Sequence, residues 1–195
     1  DRVAVHATEA VYEVLERATS LLRTLSAYTR VEWRPVIPGQ EALLTDGLSY
    51  LAFPVPLEKQ ARFQSEKKVG LSIGYRITDH RTGRSLVYAP SVQELTPSVV
   101  AYFEGCACLL FDGTFWQDDE MIRLGISHKT ARQMGHLPIS GPDGSLEQLA
   151  SLPIPRKIYI HINNTNPILL EDAPERRTVE EHGFEVAADG LELEI

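Results

Sequence analysis

Cys106-Ala107-Cys108-Leu109-Leu110-Phe111-Asp112-Gly113-Thr114 is the stretch around which the chain is organised. Alternate residues of a strand share a face, so Cys106, Cys108, Leu110 and Asp112 point one way and Ala107, Leu109 and Phe111 the other. Both faces are apolar until Asp112. A carboxylate at the carboxyl end of a buried strand, followed by Gly113-Thr114, stands where α/β sheets usually bind ligands. The other reading of Asp112 is a cap on the next turn.

Upstream, Thr96-Pro97 places a cap before a first-turn proline, and a helix through Phe103 leads by Gly105 into the strand Cys106 to Asp112. Val69 to Thr78 and Ser85 to Tyr88 flank the turn His80-Arg81-Thr82-Gly83-Arg84, which predicts an antiparallel pair. Val31 to Val36 and Gly47 to Leu57 are extended, with prolines at their ends. Lys59 to Lys68 reads as a polar loop or a short solvated helix. At the start, Val3 to His6 is strand-like, and Thr8 caps a helix through Leu25.

Downstream, Ser145 and Gln148 form a capping-box pair ahead of a helix to Leu152. Arg156 to Asn163 is a strand, Pro174 opens a helix ending at Gly183, and short strands Phe184 to Ala187 and Leu191 to Ile195 follow. Strand pairs come first and αβ units after, which predicts helices over sheet layers in a single domain spanning residues 1–195.

Length and composition agree. A chain of 195 residues has room for one domain, and 43% apolar with 24% charged residues argues against disordered, collagen-like and membrane classes. The net charge is −8 and the basic clusters stop at Lys67-Lys68 and Arg176-Arg177, so nucleic acid has no electrostatic footprint to bind. The two cysteines are too close in a C-x-C pair for a relaxed disulfide. No apolar run approaches a bilayer span and no signal pattern opens the chain, so a cytoplasmic protein without membrane contact is expected. The methionines are Met121 and Met134, so Asp1 is not an initiator position and a processed, cut or incomplete chain is expected.

A second strand bears on chemistry. Alternation over Lys157 to Asn163 puts Ile158, Ile160 and Ile162 on one face and Tyr159, His161 and Asn163 on the other. His161 and Asn163 then emerge together at a strand end, within the polar run His161-Ile162-Asn163-Asn164-Thr165-Asn166-Pro167. That density of short hydrogen-bonding side chains fits a site or a capped turn. His136 lies in the loop Met134-Gly135-His136-Leu137-Pro138, where glycine permits close backbone approach. Asp112, His136 and His161 would jointly supply two imidazoles and one carboxylate, the ligand set of a non-haem iron facial triad. Gly70-Leu71-Ser72-Ile73-Gly74 fits G-x-S-x-G but continues as strand where a nucleophile elbow needs a helix. Asn163-Asn164-Thr165 fits a glycosylation acceptor that lacks a secretory signal. His80, His128 and His182 sit in polar or turn contexts and read as solvated.

Leu109 to Phe115, Asp118-Asp119-Glu120-Met121-Ile122-Arg123, Met134-Gly135-His136 and Ile160 to Pro167 closely resemble the pyrroloquinoline quinone biosynthesis protein B family. So do Phe53-Pro54-Val55-Pro56, Ser85 to Pro90 and the closing Gly183 to Ile195, so the likeness runs end to end. The resemblance implies a metallo-β-lactamase fold, an α/β αββα sandwich of which this chain is the C-terminal portion, similar to the tRNase Z branch around Asp112, His136 and His161. Hydrolases of that fold hold two metals with an upstream H-x-H-x-D-H cluster and later His, Asp and His ligands. Here the Phe53 to Pro56 region carries no later histidine, and Ala89-Pro90-Ser91 stands at the bridging-aspartate strand end, so a two-metal phosphodiesterase site is not expected.

Family members also begin with a further segment, so the N-terminal third is expected to be missing and the fragment to be inactive or aggregation-prone alone. For the intact family the resemblance implies an iron-dependent hydroxylase that oxidises a tyrosine-derived, glutamate-linked precursor with dioxygen. The alternatives are a carrier of the quinone or its precursor, or a hydrolase-like domain with a vestigial site. Asp112, His136 and His161 are the expected metal ligands, for Fe(II) first and Zn second, and Asn163 is expected to orient a ligand or substrate through its amide. The expected partners are the small-molecule precursor, dioxygen and a second copy in a homodimer.

Overall fold

The structure, a computed structural model, describes residues 2–58 and 68–194, so most of the polar stretch Lys59 to Lys68 lies outside the described residues. Strands β1 (Arg2–Ala7) and β2 (Arg30–Pro35) pair in parallel as a two-stranded sheet. The chain between them is helical. Thr8 caps α1 (Glu9–Glu13) by accepting from the Val11 N–H at 3.3 Å, but the expected helix to Leu25 is interrupted. A π-helical turn over Val14–Ala18 and a left-handed Ser20 separate α1 from α2 (Leu21–Ser26), because Ser20 at φ 55° cannot continue a right-handed helix.

The second sheet has seven strands in sequence order: β3 (Glu41–Leu43), β4 (Leu48–Pro54), β5 (Ile73–Asp79), β6 (Ser85–Ala89), β7 (Cys108–Asp112), β8 (Arg156–Ile160) and β9 (Phe184–Val186). β3 to β6 run antiparallel and β6 to β9 parallel. The switch follows the connections. A short turn joins β5 to β6, whereas each later link carries a helix: α3 (Pro97–Val100), α5 (Ser145–Ala150) and α6 (Pro174–Glu181), with the short α4 (Glu120–Arg123) preceding α5.

The main core lies on one face of this sheet. Phe53, Val87, Leu109, Phe111 and Tyr159 meet Val99 of α3, Leu146 and Leu149 of α5, and Val179 of α6. Thr96 and Pro97 open α3 as expected, with Thr96 accepting from the Val99 N–H. Lys157 joins α5 to β8: its ammonium donates to the carbonyls of Leu149, Ala150 and Leu152 at 3.0–3.3 Å, satisfying the groups a helix end leaves open. Among the described residues, no helix is long and apolar enough to cross a membrane.

Three local expectations are corrected. Gly144, not Ser145, is the N-cap of α5, and the Ser145 hydroxyl is instead 3.0 Å from the Tyr159 phenol. The pull is burial: Tyr159 is fully buried and its hydroxyl needs a partner. Leu191 to Glu194 form no strand, since no partner strand lies beyond β9 among the described residues. β8 ends at Ile160 rather than Asn163, because His161 is left-handed at φ 54°.

Candidate metal centre

Asp112 closes β7 and is fully buried. A bare carboxylate there would be costly, and four donors converge on it. Oδ2 accepts from the Val92 N–H at 2.9 Å and faces His136 Nδ1 at 2.8 Å; Oδ1 accepts from the Thr114 N–H at 3.1 Å and the Thr114 hydroxyl at 2.5 Å. Burial alone would raise the carboxyl's pKa. The hydrogen bonds from His136 and Thr114, with the His161 imidazole close by, outweigh it and hold Asp112 below its ordinary value. Asp112 is therefore an ionised group inside the protein.

His136 is delivered by a clamped loop. Gly135 at φ 92° ends a 3-10 turn over Arg132–Met134, the His136 N–H returns to Ala131 O, and the next residues tie to Val92 O and Phe115 O. The Phe115 ring meets the imidazole edge-on at 5.8 Å. His161 comes from the neighbouring parallel strand. Strict alternation would put it on the face of Tyr159, which lies in the core; the left-handed backbone turns it away toward Asp112 instead. Left-handed conformation outside glycine is uncommon and collects at functional sites. The two imidazoles stack nearly parallel, 5.4 Å apart with 23° between planes. His136 is mostly covered, with 15% of its side chain exposed, while His161 at 51% faces solvent. The nearby Asp112 carboxylate, opposed by partial burial, raises the His161 pKa.

One donor atom from each of Asp112, His136 and His161 lies within 4.8 Å of the others. Two imidazoles and one ionised carboxylate at that spacing fit a borderline divalent cation such as iron or zinc. Asn163 belongs elsewhere: its amide donates to Thr165 Oγ1 at 2.6 Å and contacts Met121 Sδ, and its backbone N–H reaches Thr114 O. It anchors the loop that carries His161. Glu120, nearly buried, completes that anchor by accepting from the Trp116 N–H and from Thr165. His80 is an exposed turn residue, as read, and its Nε2 also sits 2.8 Å from the buried Ser49 hydroxyl.

The residue that chain reading missed is Thr114. Its hydroxyl lies 2.5 Å from Asp112 Oδ1, 2.8 Å from His161 Nδ1 and 3.1 Å from His136 Nδ1. The available signal was its place two residues after a carboxylate, where a hydroxyl reaches back in a side-chain turn.

A family model described as a beta-lactamase superfamily domain matches residues 1–162. The chain belongs to that superfamily, and its mixed sheet and helices are the metallo-β-lactamase fold. Within it, the chain is similar along its whole length to coenzyme PQQ synthesis protein B. It is 43% identical over 202 residues to that protein of Cupriavidus necator, covering 100% of this chain and 66% of the relative. It is 45% identical over 197 residues to that of Methylococcus capsulatus, covering 97% and 64%. The crystal structure of Zn(2+)-bound PqqB from Methylobacterium extorquens superposes with TM-score 0.87 at 32% identity, covering 100% of this chain and 66% of that one. The chain thus spans just under two thirds of the length of these relatives.

Proposed function

We propose that this chain acts in pyrroloquinoline quinone biosynthesis as the part of an oxygenase that carries its metal, hydroxylating a tyrosine-derived precursor, with Asp112, His136 and His161 as the metal centre and Fe(II) as the metal. The carrying observation is that Asp112 and His161, at the carboxyl ends of adjacent parallel strands, meet His136 from its loop, two imidazoles around an ionised, fully buried carboxylate. The similarity to coenzyme PQQ synthesis protein B supplies the pathway. Iron held there supplies the activation of dioxygen that ring hydroxylation requires. The chain's own residues do the rest. Asp112 fixes the His136 ring through Nδ1, Phe115 shields the covered side of that ring, and the half-exposed His161 marks the side from which the precursor and dioxygen enter. Asn163 acts through the loop rather than on the substrate directly. The reaction runs in the cytoplasm, on a homodimer.

Metal content and substrate-dependent dioxygen uptake, measured on a protein extended to the length of its relatives and on its His161→Ala variant, test this. Stoichiometric iron with uptake that the substitution abolishes is the expected result. Precursor or quinone binding without iron or uptake overturns it in favour of a carrier.

A further inference from the structure

The protons around Thr114 can be assigned one by one. The hydroxyl has one proton to give and two lone pairs to receive, and four polar atoms surround it: Asp112 Oδ1 at 2.5 Å, His161 Nδ1 at 2.8 Å, His161 O at 3.0 Å and His136 Nδ1 at 3.1 Å. The hydroxyl proton can go to either of two oxygens, and Asp112 Oδ1 at 2.5 Å is much closer than His161 O at 3.0 Å, so Thr114 donates to Asp112. Its oxygen is then an acceptor toward both rings. His161 Nδ1, at 2.8 Å, must carry a hydrogen, because its lone pair would otherwise face another lone pair. His136 Nδ1 must also carry one, since it faces Asp112 Oδ2 at 2.8 Å.

The two rings are therefore fixed by different groups. Asp112 sets His136 directly, but Asp112 Oδ1 is 3.8 Å from His161 Nδ1, beyond hydrogen-bond distance. Thr114 spans that gap. We propose that Thr114 is a positioning residue that relays Asp112 to His161, locking His161 as the Nδ1–H tautomer and leaving its Nε2 as the nitrogen free to take a metal. Carboxylate and hydroxyl partners of this kind orient ligating histidines and raise their basicity.

The proposal rests on the metal-centre reading only for its affinity arm; the tautomer arm is read without metal. Long-range 1H–15N spectra of the metal-free protein, taken where both rings are neutral, should show Nδ1–H for both. In Thr114→Val the His161 ring should shift toward Nε2–H while His136 stays as it was, and Thr114→Ser should restore the pattern. Zinc affinity, measured by titration with zinc alone against a competing chelator, should fall roughly 10–100-fold in Thr114→Val and return in Thr114→Ser. A wild-type His161 in the Nε2–H form overturns the proposal even if the valine variant fails to fold. So does a valine variant with unchanged spectrum and unchanged zinc affinity. Absence of iron or dioxygen uptake would instead overturn the oxygenase reading and leave the tautomers as assigned.

Discussion

The side-chain amide of Asn166 donates to the Gly113 carbonyl at 2.8 Å, tying the loop after β8 to the loop after β7 across 53 residues of sequence. The same side chain accepts from the Ile168 N–H and so opens the 3-10 turn over Pro167–Leu169. Asn166 is almost fully buried, so removing it strands a carbonyl and an N–H together. Asn166→Ala should cost about 1–3 kcal/mol of stability, read as a lower denaturation midpoint at unchanged slope. The two loops carry Thr114 and His161, so metal affinity should fall with it.

Gly113 is a steric requirement. A Cβ there would lie 2.9 Å from Tyr159 Cβ and 3.2 Å from Ile160 O, with a buried strand behind both atoms. Gly113→Ala should force β7 and β8 apart at their carboxyl ends, costing about 1–3 kcal/mol as other overpacked sites do. Metal binding should weaken more than stability, which separate titration and unfolding measurements would show.

Asp112 and His161 impose opposite pH slopes. Asp112 has a lowered folded pKa, so its contribution is present above the ordinary carboxyl value of about 4 and is lost as pH falls through the folded value. His161 has a raised folded pKa, so its contribution is complete below about pH 6.5 and is lost as pH rises through the folded value. Denaturation midpoints across pH, with metal chelated, should decline on both sides. Asp112→Asn should flatten both slopes, because the His161 shift originates at Asp112. Asp112→Ala should cost about 3–5 kcal/mol at neutral pH by stranding buried donors.

Lys157 tests the sheet–helix joint away from the metal centre. Its ammonium is shared by three carbonyls at the end of α5. Lys157→Met keeps the apolar stem and removes the donors, and should lower stability by about 1–3 kcal/mol while metal affinity stays unchanged. Calorimetric melting with and without zinc would separate the two effects.

Much of this was legible in the residues. The double-faced apolar run before Asp112, the Thr96-Pro97 cap, the β5–β6 hairpin and the αβ alternation toward the C-terminus all follow from local chemistry: side-chain period, capping and turn geometry. The candidate donors Asp112, His136 and His161 were also identifiable as residue types at loop and strand ends. What local chemistry could not supply was where those ends meet and which way each ring turns. The parallel pairing of β7 with β8 sets Asp112 beside the end of the His161 strand, and the left-handed φ of His161 reverses the face that alternation assigns it. The same packing drew Ser145 from its capping place to the Tyr159 hydroxyl, and set the Asn163 amide against Thr165. Sequence by itself determined the elements and the chemical inventory, because those depend on neighbours along the chain. Only the tertiary structure decided the proton arrangement among Asp112, Thr114, His136 and His161, because a buried carboxylate takes its donors from wherever the fold delivers them.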